Sequence, residues 1–94
     1  MTLKNDKTMR RELYEAFLAL ESIEEAESFL ADLCTIKELE AMSQRLRAAK
    51  MLLQGKTYNE IAEETEISSA TLARVSKCVR YGDGGYRKVI EKKR

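Results

Sequence analysis

A short segment in the second half of the chain carries the side chains best suited to chemistry. It places hydroxyl and methyl groups at Ser69, Ala70 and Thr71, and cations at Arg74 and Lys77. Residues three or four positions apart are neighbours on a helix surface. Hydroxyls hydrogen-bond to base edges, methyl groups contact thymine, and cations neutralise phosphates. This pattern predicts that the segment binds double-stranded DNA in the major groove.

Two helices joined by a tight turn are needed to position these side chains. From Thr57 to Val79 the sequence reads TYNEIAEETEISSATLARVSKCV, the pattern of a helix-turn-helix. The turn position that is usually glycine is Glu66, which requires strain or a different turn. From pattern alone, an ordinary packed helical hairpin is the alternative. The predicted packing positions are Ile61, Ala62, Ile67, Leu72 and Val75, and the predicted outward positions are Glu63, Glu64, Ser69, Thr71, Arg74 and Lys77.

Helix starts are marked by three capping boxes, in which a hydroxyl and a glutamate three residues later satisfy each other's backbone amides. They pair Ser22 with Glu25, Thr35 with Glu38, and Thr57 with Glu60. Apolar spacing then predicts an all-α single domain over 1–94 with about six helices. Outside the helix-turn-helix these helices cover 8–20, 23–34, 36–55 and 86–92. Inward positions are Ile36, Leu39, Met42, Leu46, Leu52 and Leu53 on the third helix, with Arg45, Arg47 and Lys50 on its polar face, and Val89 and Ile90 on the last.

The composition limits the function classes. The chain is 44% hydrophobic and 35% charged with no proline, which favours helices. No stretch approaches a membrane span or a signal peptide, so a cytoplasmic protein is expected. The distant Cys34 and Cys78 indicate small, partly buried side chains and neither a disulfide nor a metal site. With no histidine and no phosphate-binding loop, neither an enzyme nor a cofactor is expected.

A net charge of +1 hides strongly charged blocks. Residues 12–40 carry −8 and residues 57–70 carry −4, whereas residues 71–94 carry +6. A localised basic segment indicates an anionic partner, of which nucleic acid is the commonest. The alternative is a helical interaction module that docks on an acidic protein.

A longer stretch, from Leu33 to about Ile90, resembles the Trp repressor superfamily. It reads LCTIKELEAMSQRLRAAKMLLQGKTYNEIAEETEISSATLARVSKCVRYG, and the whole sequence is similar to the YerC/YecD-type Trp repressor-like proteins. The resemblance implies a six-helix fold and an intertwined homodimer. Its paired reading helices would enter successive major grooves, as expected of a repressor.

The resemblance also implies a possible ligand pocket. In tryptophan-responsive members, the indole ring lies between two arginines that match Arg45 and Arg74, and a threonine matching Thr35 lies near the amino group. Val75 and Cys78 replace a glycine and a serine there. The larger valine side chain and the less polar cysteine side chain both disfavour tryptophan binding. The prediction is therefore a sequence-specific DNA-binding transcription regulator, a dimeric repressor that does not require tryptophan. Another small-molecule effector remains open.

The predicted DNA-binding set extends beyond the reading helix. Arg45 and Arg74 are expected to hold phosphates, and their alternative is surface ion pairing with Glu38, Glu40 or Glu66. For Thr35, helix capping is the favoured role and ligand contact the minor one. The full predicted set is Thr57, Asn59, Ser68, Ser69, Ala70, Thr71, Arg74, Lys77 and Arg45.

Overall fold

The computed structural model describes residues 6–92, and all regular secondary structure in that range is helical. The predicted all-α fold with six helices is confirmed for these residues. Predicted and observed helix ends agree within two residues, the usual uncertainty of helix boundaries. None of the described helices is long and apolar enough to cross a bilayer. The helices are α1 (Asp6–Ala19), α2 (Ile23–Leu33), α3 (Ile36–Leu53), α4 (Tyr58–Thr65), α5 (Ser69–Tyr81) and α6 (Gly85–Lys92).

The chain divides into two compact units, the first being Met1–Thr35 and the second Ile36–Arg94. In the first unit, Phe17 and Phe29 meet edge to face with ring centroids 6.0 Å apart. No residue of α1 or α2 is buried. The prediction of one domain over 1–94 stays a prediction.

The predicted capping box at the start of α2 forms only in part. The Ser22 hydroxyl accepts a hydrogen bond from the Glu25 amide at 3.1 Å. The Glu25 carboxylate accepts instead from the amide of Glu21, one residue earlier than a capping box requires, at 3.0 Å. The box predicted for Thr35 and Glu38 stays a prediction.

The second unit has a core made by α3, α4, α5 and the α4–α5 turn. Two alanines of α3 are completely buried, which lets the other helices approach its backbone closely. Tyr86 and Ile90 of α6 are half-buried and pack against this core, as do Leu52 and Val79. The buried core residues are Ala48, Ala49, Met51, Ile61, Ile67, Leu72 and Val75.

The predicted apolar face of α3 was partly wrong. Ile36, Met42 and Leu46 were expected to point inward, but they are 72%, 36% and 41% exposed. All buried residues of α3 lie in its second half, at 48, 49 and 51. The apolar periodicity extends farther along the helix than the core that covers it, so periodicity alone overestimated burial.

Two further packing predictions also failed. Ala62 was expected between the helices of the helix-turn-helix, but it is exposed, and Ile61 is the one buried residue of α4. Val89 was expected to pack inward, but it is 59% exposed. Tyr86 packs in its place, one helical turn before Ile90.

Candidate nucleic-acid interface

The turn between α4 and α5 depends on a left-handed residue. Glu66 has φ 59° and ψ 19°, and it is the only residue other than glycine with positive φ among residues 6–92. Its amide donates to the carbonyl of Ala62 at 2.9 Å, which closes the end of α4. Of the two outcomes expected for a glutamate here, strain or a different turn, the structure has the left-handed conformation, in which a Cβ costs about 1–2 kcal/mol.

Thr65 holds this turn in place from both sides. Its hydroxyl donates to the carbonyl of Ile61 at 2.7 Å and accepts from the amide of Ile67 at 3.2 Å. The side-chain amide of Gln44 on α3 donates to the Thr65 carbonyl at 3.0 Å. These bonds fix the turn to α3, and the buried Ile67 anchors it in the core.

The start of α4 carries the complete capping box that the sequence predicted. The Glu60 amide donates to the Thr57 hydroxyl at 3.2 Å, and the Thr57 amide donates to the Glu60 carboxylate at 2.8 Å. The bond from the Thr57 amide to the carboxylate lowers the pKa of Glu60 below its ordinary value, and the Thr57 side chain and the nearby Lys56 add smaller effects in the same direction. Asn59 is exposed in this first turn, where helix amides favour an anion.

Hydroxyl groups also organise the start of α5. The Ser68 hydroxyl accepts from the Thr71 amide at 3.2 Å and donates to the Thr71 hydroxyl at 2.9 Å. Thr71 was expected to point outward, but it is half-buried. The reason is its position on the flank of α5, where it is turned toward the side that also holds Cys78. Its hydroxyl keeps one proton to donate.

The exposed face of α5 combines small polar and cationic side chains. Ser69, Ala70, Arg74 and Lys77 are all exposed, and α5 contains no acidic residue. Within residues 6–92, neither cation of this face forms an ion pair. This surface can therefore accept an anionic partner without first breaking an internal ion pair.

The charged residues of α4 itself, in contrast, are all acidic. Glu64 is paired with Arg47 of α3 at 2.5 Å, an ion pair in which both side chains are about half exposed. This pair connects α3 to α4 and partly neutralises the acidic helix. The positive part of the motif is therefore α5.

A pocket of about 400 Å³ lies beside α5. It brings together four of the five residues predicted for a ligand pocket, whereas the fifth, Thr35, belongs to the first unit. Arg45 was placed on a solvent-facing side of α3, but it is half-buried. Within the described part of the chain, neither arginine of the pocket forms the alternative ion pairs. The pocket is lined by Arg45, Thr71, Arg74, Val75, Cys78 and Tyr86.

Tyr86 is the pocket residue that the sequence did not assign. Its only signal is its position four residues before Ile90, which places both on one face of α6. Cys78 was expected to be partly buried but is exposed, and it and Cys34 are free thiols. The described residues contain no cluster of three or more side chains able to hold a metal ion.

Comparisons with known proteins agree on one family and one fold. A family model described as Trp repressor protein matches residues 9–94. The uncharacterized protein YerC of Bacillus subtilis (strain 168) is 41% identical over 81 residues, which cover 86% of this chain and 78% of YerC. A crystal structure of a Staphylococcus aureus protein proposed to be a Trp repressor has a TM-score of 0.87 at 37% identity, covering 97% of this chain and 94% of that one. A TrpR-like protein of Eubacterium eligens ATCC 27750 has a TM-score of 0.88 at 42% identity, covering 95% and 92%.

Proposed function

Since this chain belongs to the Trp repressor family, we propose that it is a dimeric, sequence-specific DNA-binding regulator that acts as a repressor without tryptophan. In this proposal α5 enters the major groove. Ser69 and Ala70 contact base edges, with Thr71 donating its remaining proton at the flank. Arg74 and Lys77 hold phosphates, and the amide end of α4 receives another phosphate.

The observation that carries the proposal is the exposed face of α5. Its cations are unpaired within the described residues, and no carboxylate lies on the same helix to repel a phosphate. The helix is also fixed rigidly, because Leu72 and Val75 are buried against α3 and Ser68 caps its first turn. A rigid helix whose cationic side chains are not paired with carboxylates is suited to binding in the major groove of DNA.

Dimerisation is supported by the apolar side chains of the first unit. Leu18 and Ile23 are 85% and 77% exposed, and Tyr14 is 57% exposed. Two helices without one buried side chain do not offset the entropy cost of ordering them, about 1–2 kcal/mol per residue for the backbone. Burying each large aliphatic side chain contributes about 1.5–3 kcal/mol. We propose a second copy of this chain as the covering surface, related by two-fold symmetry.

Independence from tryptophan is supported by how the chain fills the region beside α5. Val75 is 1% exposed and belongs to the core, and Tyr86 forms another wall of the pocket. These side chains hold α5 against the rest of the second unit. The remaining pocket falls within the usual size range of small-molecule sites, so an effector other than tryptophan is compatible with it.

The first test is selection of bound fragments from a random DNA duplex pool by the purified protein. The selection is made without added ligand, with tryptophan, and at two salt concentrations. We expect a symmetric motif with half-sites about one helical turn apart, enriched without tryptophan. Enrichment only with tryptophan would show that Val75 does not exclude the amino acid.

Variants then separate the proposed roles. Lys77→Ala should weaken binding to all sequences and reduce the salt dependence, whereas Thr71→Val should change the preferred site. Lys50→Ala is the matched control, because it removes an exposed cation from α3 outside the proposed interface. Equal losses for all three variants on every sequence would contradict base reading. No enrichment in any condition would favour the alternative, a module that docks on an acidic protein.

A further inference from the structure

A second, smaller pocket lies between the end of α3, the second half of α5 and α6. It has a volume of about 180 Å³ and shares no lining residue with the pocket described above. Its volume is below the roughly 300 Å³ at which drug-sized ligand sites begin. The pocket therefore fits a small ion or one group of a larger molecule. Its lining is Leu52, Leu53, Ser76, Val79, Arg80 and Arg87.

The charge of this lining is entirely positive. Arg80 and Arg87 come from different helices, and no carboxylate lines the pocket. Arg80 forms no ion pair within residues 6–92. Within the described residues Arg87 forms one ion pair, with Glu91 at 3.9 Å with both side chains 53% exposed, and such an exposed pair contributes little. Two cations that converge on one pocket repel each other, and a bound anion would remove that repulsion.

The base of the pocket supplies a third polar group. Ser76 is the one buried polar residue among those described, at 4% exposure. No completely buried side-chain oxygen or nitrogen among the described residues lacks a hydrogen-bond partner. The Ser76 hydroxyl, which forms no hydrogen bond within residues 6–92, is therefore accessible from the pocket that it lines. It lies four residues before Arg80, so the two side chains are neighbours on α5. Its proton is available to an acceptor inside the pocket.

From this arrangement we propose that the pocket binds a small oxyanion of the phosphate class. The two guanidinium groups hold the anion through charge-assisted hydrogen bonds, and the Ser76 hydroxyl donates a third. The apolar walls from Leu52, Leu53 and Val79 strengthen these interactions by excluding water. The anion is either free phosphate or a phosphate of the DNA backbone, and the chemistry of recognition is the same for both.

The test measures binding of inorganic phosphate to the full chain by equilibrium dialysis at constant ionic strength, with chloride as the balancing ion. The pocket variant is Arg80→Gln with Arg87→Gln. The control is Lys88→Gln with Lys92→Gln, which removes the same charge from exposed positions outside the pocket. We expect one phosphate per chain for the parent and the control, and at least about tenfold weaker binding for the pocket variant. Ser76→Ala should weaken binding by about three- to tenfold.

A second arm measures how DNA affinity depends on salt for the same proteins. The measured quantity is the slope of the logarithm of DNA affinity against the logarithm of salt concentration. If the anion is a DNA phosphate, this slope should be shallower by about 0.9 per chain for the pocket variant than for the control. A pocket-specific loss in either arm supports the site and identifies the source of the anion. The dialysis arm contains no DNA, so it remains informative if the proposed function fails. Equal behaviour of the pocket variant and the control in both arms would overturn the proposal, because the charge would then act only diffusely.

Discussion

Replacing the left-handed residue in the α4–α5 turn is the sharpest test of the helix-turn-helix geometry. Glu66 is exposed, and its φ of 59° places its Cβ against the following carbonyl. In Glu66→Gly the Cβ is absent, so this strain disappears while the hydrogen bond to the Ala62 carbonyl is kept. We therefore expect the substitution to stabilise the protein.

The magnitude follows from two opposing terms. Removing the Cβ from a left-handed residue gains about 1–2 kcal/mol. The extra freedom of glycine in the unfolded chain costs about 0.4–1 kcal/mol. The middle of each range gives an expected net gain of about 0.8 kcal/mol in the free energy of unfolding. For a chain of this length, such a gain corresponds to a rise of about 2–8 °C in the thermal midpoint.

The assay is thermal and urea unfolding at one fixed protein concentration, because the proposed dimer would make stability depend on concentration. Glu66→Ala is the matched control, since it removes the same carboxylate but keeps the Cβ. It should lie within about 0.5 kcal/mol of the parent. If Glu66→Ala stabilises as much as Glu66→Gly, the gain comes from removing charge, and the argument from backbone strain is wrong.

Three further predictions test other parts of the chain. Gly82→Ala should destabilise the protein by about 1–3 kcal/mol, because an added Cβ would lie 2.4 Å from the backbone oxygen of Cys78. Gly85→Ala is the control and should be neutral or stabilising, because an added Cβ there would have no atom within 4 Å. Urea unfolding of the two variants measures the difference. Because the pKa of Glu60 is lowered, its carboxylate stabilises the protein above the ordinary value of 4.5, and this stabilisation is lost as pH falls through the lowered pKa. The urea midpoints of the parent and of Glu60→Gln should therefore converge as pH falls below 4.5. Leu18→Glu should shift sedimentation toward a monomer, and an unchanged dimer would place the interface elsewhere.

The elements with local signals were predictable from sequence. Helix starts depend on contacts within one turn, so Thr57 and Glu60 were sufficient to locate the start of α4. At Glu66 the sequence left strain and a different turn open, and the structure has the strained, left-handed residue. The all-helical fold follows from a composition rich in helix formers.

Burial was less predictable because it depends on partners distant in sequence. Ile36 and Leu46 satisfy the helical period but lie outside the part of α3 that the core covers. Conversely, Tyr86 has no distinctive local pattern, and it lines the pocket only because α6 packs back against α5. Arg45 was misplaced in the same way, since periodicity assigned it to solvent although it is half-buried beside α5.

The charge distribution within the helix-turn-helix limits how this protein is able to hold DNA. The charged side chains of α4 are all acidic, so its contribution to phosphate binding is restricted to the backbone amides at its start. Arg47 pairs with Glu64 and thereby reduces the repulsion that α4 would exert on a phosphate. In the proposed interface the attraction then comes mainly from Arg74 and Lys77 on the exposed face of α5. With so few cations in the proposed interface, we expect specificity to depend on the fixed position of α5, which the buried core and the strained turn at Glu66 provide.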